Sequence, residues 1–353
     1  MVESLRGQLT ELRLALRTPL GTGAGAIAFR TVLLLELNDP DGTSGVGESA
    51  PLPQAGTEDV LESRRALTAF IEAGVPPRAG ATPAAAAAVE LALLDLAARK
   101  AGLPLHRHLG GPAASHVTVN ALLSAETPSD LAAQAEAHVR EGFRTLKLKV
   151  GARGGTFAAS LERDLSRLAA VRAAVGQTVR LRLDANGAWS FDEARRALAA
   201  LAPFAPEFVE QPIPAGPDDA RVMAALRAEV GVPIAVDESV VGERDLERLL
   251  TADAADAVVL KPMRLGGLEP ALACAALAQD AGLPVVITTF LGSAVERSAA
   301  LHLAAVVSPG NADDVAHGLA TGALLAEDVA PGPEPVGGRL RVPLQSGHGV
   351  VLP

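Results

Sequence analysis

From Val117 onward, short apolar and β-branched runs alternate with longer stretches of helical periodicity. The runs are VTVNALL, TLKLKV, VRLRLD, EFVE, PIAVD, AVVLK and PVVITT. Helical stretches between them include 128–141, 157–175, 191–201 and 215–229. Apolar runs this short suit strands covered on both faces, and the intervening helices supply the cover. Repeated strand-then-helix units with right-handed crossovers close most naturally into a barrel. An open doubly wound sheet is the alternative, but it gathers a site at one switch point, not at successive strand ends.

Before Val117 the texture differs. Residues 1–60 read as strands, with Thr31–Leu37 as one strand, Asp39–Gly42 as a turn and Ser44 starting the return. Helices are expected over 57–73 and 82–101, the second with Thr82 as N-cap, Pro83 at its first position and Gly102 as its stop. The tail beyond residue 329 is rich in proline and glycine, then strand-like in RLRVPL, and is expected to return to the N-terminal part. The expected fold is therefore α/β. It has a modified (β/α)8-type, TIM-like barrel over 113–328 and an α+β capping domain built from 1–112 with the tail 329–353. Thr18–Ala26 is glycine-rich and is expected to be a mobile lid loop; Gly21, Gly23 and Gly25 match no phosphate-binding spacing.

Composition narrows the chemistry. A hydrophobic share of 49% supports a large core. No window reaches the ~18 uninterrupted apolar residues of a membrane span. The N-terminus lacks an apolar signal core, so a cytoplasmic location is expected. A net charge of −10 and 3% aromatics argue against nucleic acid as a partner. The single cysteine, Cys274, lies in an alanine-rich helix as a small buried residue. Whether the chain forms a homo-oligomer is not legible.

Charged residues at the ends of the apolar runs are the candidate chemistry. Asp184, Glu210 and Asp237 stand at intervals of 26 and 27 residues, about one strand-plus-helix unit each. Lys147 and Lys149 precede them in one run and Lys261 follows at the end of another. Three carboxylates suit one hard divalent cation. Asn186 and Glu238 follow closely enough to orient the first and third acids. The seven histidines form no zinc-type spacing, and His106 and His108 read as surface or packing residues. Lys147 and Lys149 are two residues apart and share a strand face. Two neighbouring ammoniums favour the neutral form of one, which makes a base. A cation on a substrate carboxylate acidifies the α-proton by stabilising the enediolate, and a lysine on either face can then move that proton.

These motifs resemble the enolase superfamily, muconate-lactonizing-enzyme subgroup. They comprise Ala87–Ala97 running through to Gly110-Gly111, the KxK of Lys147 and Lys149, Asp184-Ala-Asn186, Val209-Glu-Gln-Pro212, Asp237-Glu-Ser239 and Lys261-Pro through Gly267. The resemblance implies Lys149 as the base, Lys147 as its electrostatic neighbour and Lys261 as the lysine on the opposite face. It implies Asp184, Glu210 and Asp237 as ligands of Mg2+, with Mn2+ as a substitute, and a small-molecule carboxylate as substrate. Thr289, Ser293 and Gly318, in the loops after the seventh and eighth strands, are the expected substrate contacts.

Within the superfamily, Thr288–Arg297 and His317–Val329 look most like o-succinylbenzoate synthases. That resemblance implies a lyase of menaquinone biosynthesis. Its reaction is the syn-dehydration of 2-succinyl-6-hydroxy-2,4-cyclohexadiene-1-carboxylate. The alternative is racemisation of N-acylamino acids such as N-succinylamino acids, which needs no partner for an ammonium group. Dipeptide epimerases come next; they resemble each other in an Asp-x-Asp after the eighth strand, and His317–Gly322 has no carboxylate. Muconate cycloisomerisation fits these loops less well. A non-catalytic barrel is expected to lose a ligand or a lysine, and none is missing. Lys149→Ala is expected to abolish turnover with the circular dichroism spectrum unchanged; a variant that keeps most of its activity refutes the base assignment.

Overall fold

In the computed structural model, which describes residues 5–22, 25–152, 154–308 and 315–353, the chain opens with a long hairpin. Strands β1 (Arg6–Thr22) and β2 (Gly25–Asn38) run antiparallel, and β3 (Ser44–Ser49) returns beside β2. The Asp39–Gly42 turn closes with Gly42 N donating to Asp39 O at 2.9 Å. The expected lid loop coincides with the far end of the hairpin. The ladder shifts register between Ala15 and Leu20, then resumes from Leu20↔Ile27 to Thr22↔Gly25. Pro19 lies in the shift; it has no N–H to donate, so the ladder skips it and continues. Residues 23 and 24 lie outside the described residues.

Helices α1 (Val60–Ala73) and α2 (Pro83–Lys100) cover this sheet. The first starts at Val60 because Asp59 and Glu62 cap each other reciprocally, at 2.8 and 3.1 Å. The expected cap of α2 is not observed, since the Thr82 side chain makes no bond to the first turn. Buried Glu58 takes that role, accepting from Ala84 N at 3.0 Å and Ala85 N at 2.8 Å. A carboxylate satisfies two orphan N–H groups and opposes the positive end of the helix dipole, which one hydroxyl cannot match. Small residues set the depth of packing: a Cβ at Gly45 would overlap Ala92 O, and one at Gly47 would overlap Ala88 O. Helix α2 therefore lies directly on β3.

The VTVNALL run divides between two sheets. After the short α3 (Leu105–His108), β4 (His116–Thr118) pairs antiparallel with β12 (Arg339–Arg341) from the tail. Strand β5 (Ala121–Leu123) then starts a parallel sheet. It is followed side by side, in chain order, by β6 (Thr145–Lys149), β7 (Arg180–Asp184), β8 (Phe208–Glu210), β9 (Ile234–Val236), β10 (Ala257–Leu260) and β11 (Val285–Ile287). Outside them lie α4 (Pro128–Arg140), α5 (Phe157–Val175), α6 (Phe191–Leu201), α7 (Asp219–Glu229) and α8 (Glu243–Thr251). A single turn α9 (Pro262–Leu265), α10 (Leu268–Asp280) and α11 (Ala294–Val307) complete the set. Helix α7 begins at Asp219 and not at 215, because Asp219 Oδ2 accepts from Gly216 N at 3.1 Å in a preceding turn.

Closure uses less than a full eighth strand. His317 N donates to Thr118 O at 2.8 Å, Asn120 N to His317 O at 3.0 Å, and Gly318 N to Ile287 O at 2.9 Å. Two residues thus join β11 to the start of the sheet, giving a modified TIM barrel under an antiparallel cap. Burial, helped by Arg182, pushes the His317 imidazole down to about 3, so it stays neutral and accepts from Ile287 N at 2.9 Å. The last residues lie on α2, where His348 N donates to Asp95 and Arg99 Nη2 to Val350 O. Among the described residues no helix is long and apolar enough to cross a membrane. Glu58→Ala is expected to lower stability by about 2 kcal/mol, seen as a reduced urea midpoint at constant m-value; an unchanged midpoint removes Glu58 from the capping role.

Candidate active site

Strand alternation aims the lysines. Along β6, Leu146 and Leu148 are buried outward against helices, while Lys147 and Lys149 line the cavity at the barrel mouth. The register Lys149↔Asp184↔Glu210↔Ala235 then sets the acids on neighbouring strands at one level. Asp237 lies two residues past Ala235 and so shares its face.

The structure brings the lysines and acids together as ion pairs. Lys147 Nζ lies 2.9 Å from Asp184 Oδ2 and 2.8 Å from each oxygen of Glu210. Burial opposes the Lys147 ammonium, but Asp184 and Glu210 outweigh it and raise its pKa. Lys147 is therefore held as a cation. Asp237 pairs with Lys261 and, at 2.8 Å, with Arg264 Nη2; these cations overcome burial and lower its pKa. Glu210 is pushed up to about 8, by burial first and then by Asp184. Among the described residues Lys149 Nζ has no ion pair. Its amine faces the cavity uncommitted.

Asn186 and Glu238, expected to orient the first and third acids, bond to each other, with Asn186 Nδ2 donating to Glu238 Oε1 at 3.1 Å, while Asn186 N donates to Asp184 Oδ1 at 3.1 Å. Among the described residues, no three acidic, histidine or cysteine side chains already converge as a metal cage, because the carboxylates are drawn onto ammonium and guanidinium groups. The donor set nevertheless fits a hard divalent cation. It offers three carboxylates from adjacent strands, and buried Glu238 Oε2 has no hydrogen-bond partner, so an acceptor is left over at the site. Among the described residues, no sulfur or imidazole lines the cavity.

The cavity is about 280 Å³, near the lower end for small-molecule sites. Its cap side is Ile27, Leu52, Gln54 and Ala55; its barrel side includes Asn120, Leu122, Thr288, Phe290, Leu291 and Thr321. Thr289 and Gly318 line it as expected. Ser293 does not. It is fully buried as the N-cap of α11, bonded to Glu48 and to Val295 N, because a helix start behind the loop needs that hydroxyl. Burial pushes the Cys274 thiol up to about 12, which leaves it inert. His106 is buried and stacks on His302 with ring centroids 5.2 Å apart.

Two residues that matter were not singled out from sequence. Arg264 neutralises Asp237 from the turn after β10, and only its place three residues beyond Lys261 hinted at that. Gln211, at φ 42, is completely buried between two site loops. Its Oε1 accepts from Asp237 N and Ser239 N at 3.0 and 3.2 Å, and its Nε2 donates to Ile213 O and Ser239 Oγ at 2.8 Å. Asn186 (φ 44) and Leu291 (φ 59) also follow site strands in the left-handed region, a strain that surrounding contacts must hold.

Comparison with known proteins now bears on this geometry. Residues 130–353 match the family model described as "Enolase C-terminal domain-like". The chain belongs to the enolase superfamily. It is 27% identical to N-succinyl-L-Arg/Lys racemase of Bacillus cereus, over 84% of this chain and 82% of that protein. It is 40% identical to o-succinylbenzoate synthase of Thermobifida fusca, over 63% of this chain and 65% of that enzyme. The dipeptide epimerase of Cytophaga hutchinsonii, solved with Mg and D-Ala-L-Val, superposes with a TM-score of 0.88 at 26% identity, covering 100% of this chain and 96% of that one. Most other superfamily relatives found are epimerases. The chain is thus an enzyme of a racemase, epimerase and o-succinylbenzoate synthase group.

Lys147→Met leaves Asp184 and Glu210 facing each other without their shared cation. We expect a loss of about 3 kcal/mol in urea unfolding; an unchanged midpoint shows that the pair does not depend on Lys147.

Proposed function

We propose that the chain is a Mg2+-dependent racemase of N-acylated, specifically N-succinylated, amino acids. The observation that carries this reading is the chemistry of the cavity wall. Among the described residues, its only carboxylates are Asp184, Glu210 and Glu238, all on the metal side. The wall after strands seven and eight offers Thr288, Thr289, Gly318, Ala320 and Thr321, with hydroxyl and backbone groups but no anion. An α-ammonium there would be desolvated without a counter-charge, whereas an acylated nitrogen is neutral and hydrogen-bonds to such a wall. The preceding Asp313 and Asp314 lie outside the described residues. The N-succinyl-L-Arg/Lys racemase relative, matched along most of both chains, supports the same substrate class.

The residues divide the work. Asp184, Glu210 and Asp237 would hold Mg2+, as the Mg-bound epimerase of the same fold supports, with Glu238 and Asn186 beside them. When bound, the ion supplies positive charge for the negative charge that develops on the substrate carboxylate. Lys149, free of any carboxylate partner, takes the α-proton from one side. Lys147 remains cationic and keeps Asp184 and Glu210 in place. Lys261 serves the other face. It can leave Asp237 without stranding that carboxylate, because Arg264 holds the other oxygen. Its ammonium also sits over the Phe290 ring, 5.9 Å from the centroid.

Dehydration to o-succinylbenzoate is the second reading, favoured by the 40% identity to the Thermobifida fusca synthase. It needs Lys149 for the proton and Lys261 only as a cation, so the lysine geometry serves both. The test incubates the purified protein with Mg2+ and three substrates: N-succinyl amino acids, the cyclohexadiene carboxylate and Ala-Glu. We expect α-proton exchange in D2O with loss of optical purity for the N-succinyl compounds. Formation of the aromatic product alone selects dehydration. Epimerisation of Ala-Glu alone overturns both readings.

A further inference from the structure

A second group of buried charges lies behind the cavity wall, where cap and barrel meet. Glu48 is the next-to-last residue of β3 in the cap and Glu296 lies in the first turn of α11; both are buried. Glu48 Oε1 accepts from Ser293 N at 2.8 Å, and its Oε2 accepts from Ser293 Oγ and from Glu296 N at 3.1 Å. Glu296 folds back on its own loop, with Oε1 accepting from Phe290 N at 2.7 Å and Oε2 from Gly292 N at 2.6 Å. Between those two amides sits Leu291 at φ 59, a conformation that a leucine does not adopt unaided. Arg30 of β2 completes the clamp, donating to Phe290 O, Pro51 O and Ala50 O at 3.2, 3.1 and 2.6 Å. All the carboxylate oxygens of the pair are thus spent on the segment 290–296, and that segment presents Phe290 and Leu291 to the cavity.

We propose that Glu48 and Glu296 are positioning residues, acting through the amides of Phe290, Gly292 and Ser293 to hold the Thr289–Leu291 wall against which substrate packs. The cap thereby shapes the barrel side of the cavity as well as its own. Gly292 fits the arrangement, since a Cβ there would run into both carboxylates. The charged groups facing the pair are Arg30 and Arg297, and Arg297 is itself paired with Asp328 at 2.7 Å. Three carboxylates against two guanidiniums leave one negative charge over, which a single proton cancels. Burial and then Glu48 push Glu296 up to about 7. A buried acid raised in this way stabilises the fold while protonated and loses that contribution as pH rises through about 7.

The inference rests on the cavity being the substrate site, not on which substrate it takes. Hydrogen exchange followed by mass spectrometry on the full chain reads the wall without any turnover. In Glu296→Gln and Glu48→Gln, exchange corrected for intrinsic rate is expected to rise about tenfold in peptides covering 289–297 and to stay unchanged in β6 to β9. In the native protein the same peptides lose protection as pH rises from the ordinary carboxylate range to about 7, and in Glu296→Gln that dependence is flat. With whichever substrate turns over, KM should rise about tenfold while kcat changes less than about threefold. Ser293→Ala, which deletes one donor to Glu48 and the acceptor of Val295 N, should raise exchange in the same peptides and leave β6 to β9 unchanged. Native exchange and native KM in the folded variants overturn the proposal, as does a rise spread evenly over the barrel. If no substrate reacts, the proposed function fails while the exchange measurement still decides this inference.

Discussion

Compensation of buried charge at the mouth of an apolar barrel is the constraint on which the rest of this structure depends. Asp184 and Glu210 leave adjacent strands at one level and Asp237 follows two residues further along the next, all with almost no exposure to solvent. In a medium of low effective dielectric, carboxylates so placed repel one another strongly and are costly to desolvate. Lys147, Lys261 and Arg264 make the arrangement tolerable by pairing each acid with a cation. The residual mismatch is visible in Glu210, still pushed up to about 8 by burial and by Asp184, and in the unpartnered Glu238 oxygen. A divalent cation would relieve that mismatch.

The cap solves a related problem. Within it α2 approaches β3 closely, which alanine and glycine allow, and buried polar groups reach across to the barrel. Arg30 and Glu48 come from the cap, yet Glu48 bonds to Ser293 and Glu296, and Arg30 reaches Phe290 O. The cavity wall is therefore a joint product of two parts of the chain that are about 250 residues apart. Substrate recognition and cap packing cannot vary independently in such an arrangement.

Much of the site was legible because its chemistry sits on short strands with fixed alternation. A lysine two residues from another must share its face, and an acid ending an apolar run must emerge at a strand tip. What escaped were groups whose role depends on neighbours remote in sequence. Ser293 lies beside cavity residues in the chain, yet it turns away to cap α11. Arg264 and Gln211 look like ordinary polar residues until the loops around them close. The VTVNALL run carries no mark of the point where it leaves one sheet for another, since both partners bury the same kinds of side chain.

By itself, the sequence determined the alternation of strands and helices, the order of lysines and acids along it, and so the kind of proton chemistry the barrel mouth supports. Those properties follow from local periodicity, which survives without knowledge of distant contacts. Only the tertiary structure decided which lysine is committed to carboxylates and which is free. It alone revealed that the barrel closes through His317 and Gly318, and that the wall beside Leu291 is held from the cap. Charge pairing and loop conformation depend on distances between segments, and the fold alone sets those distances.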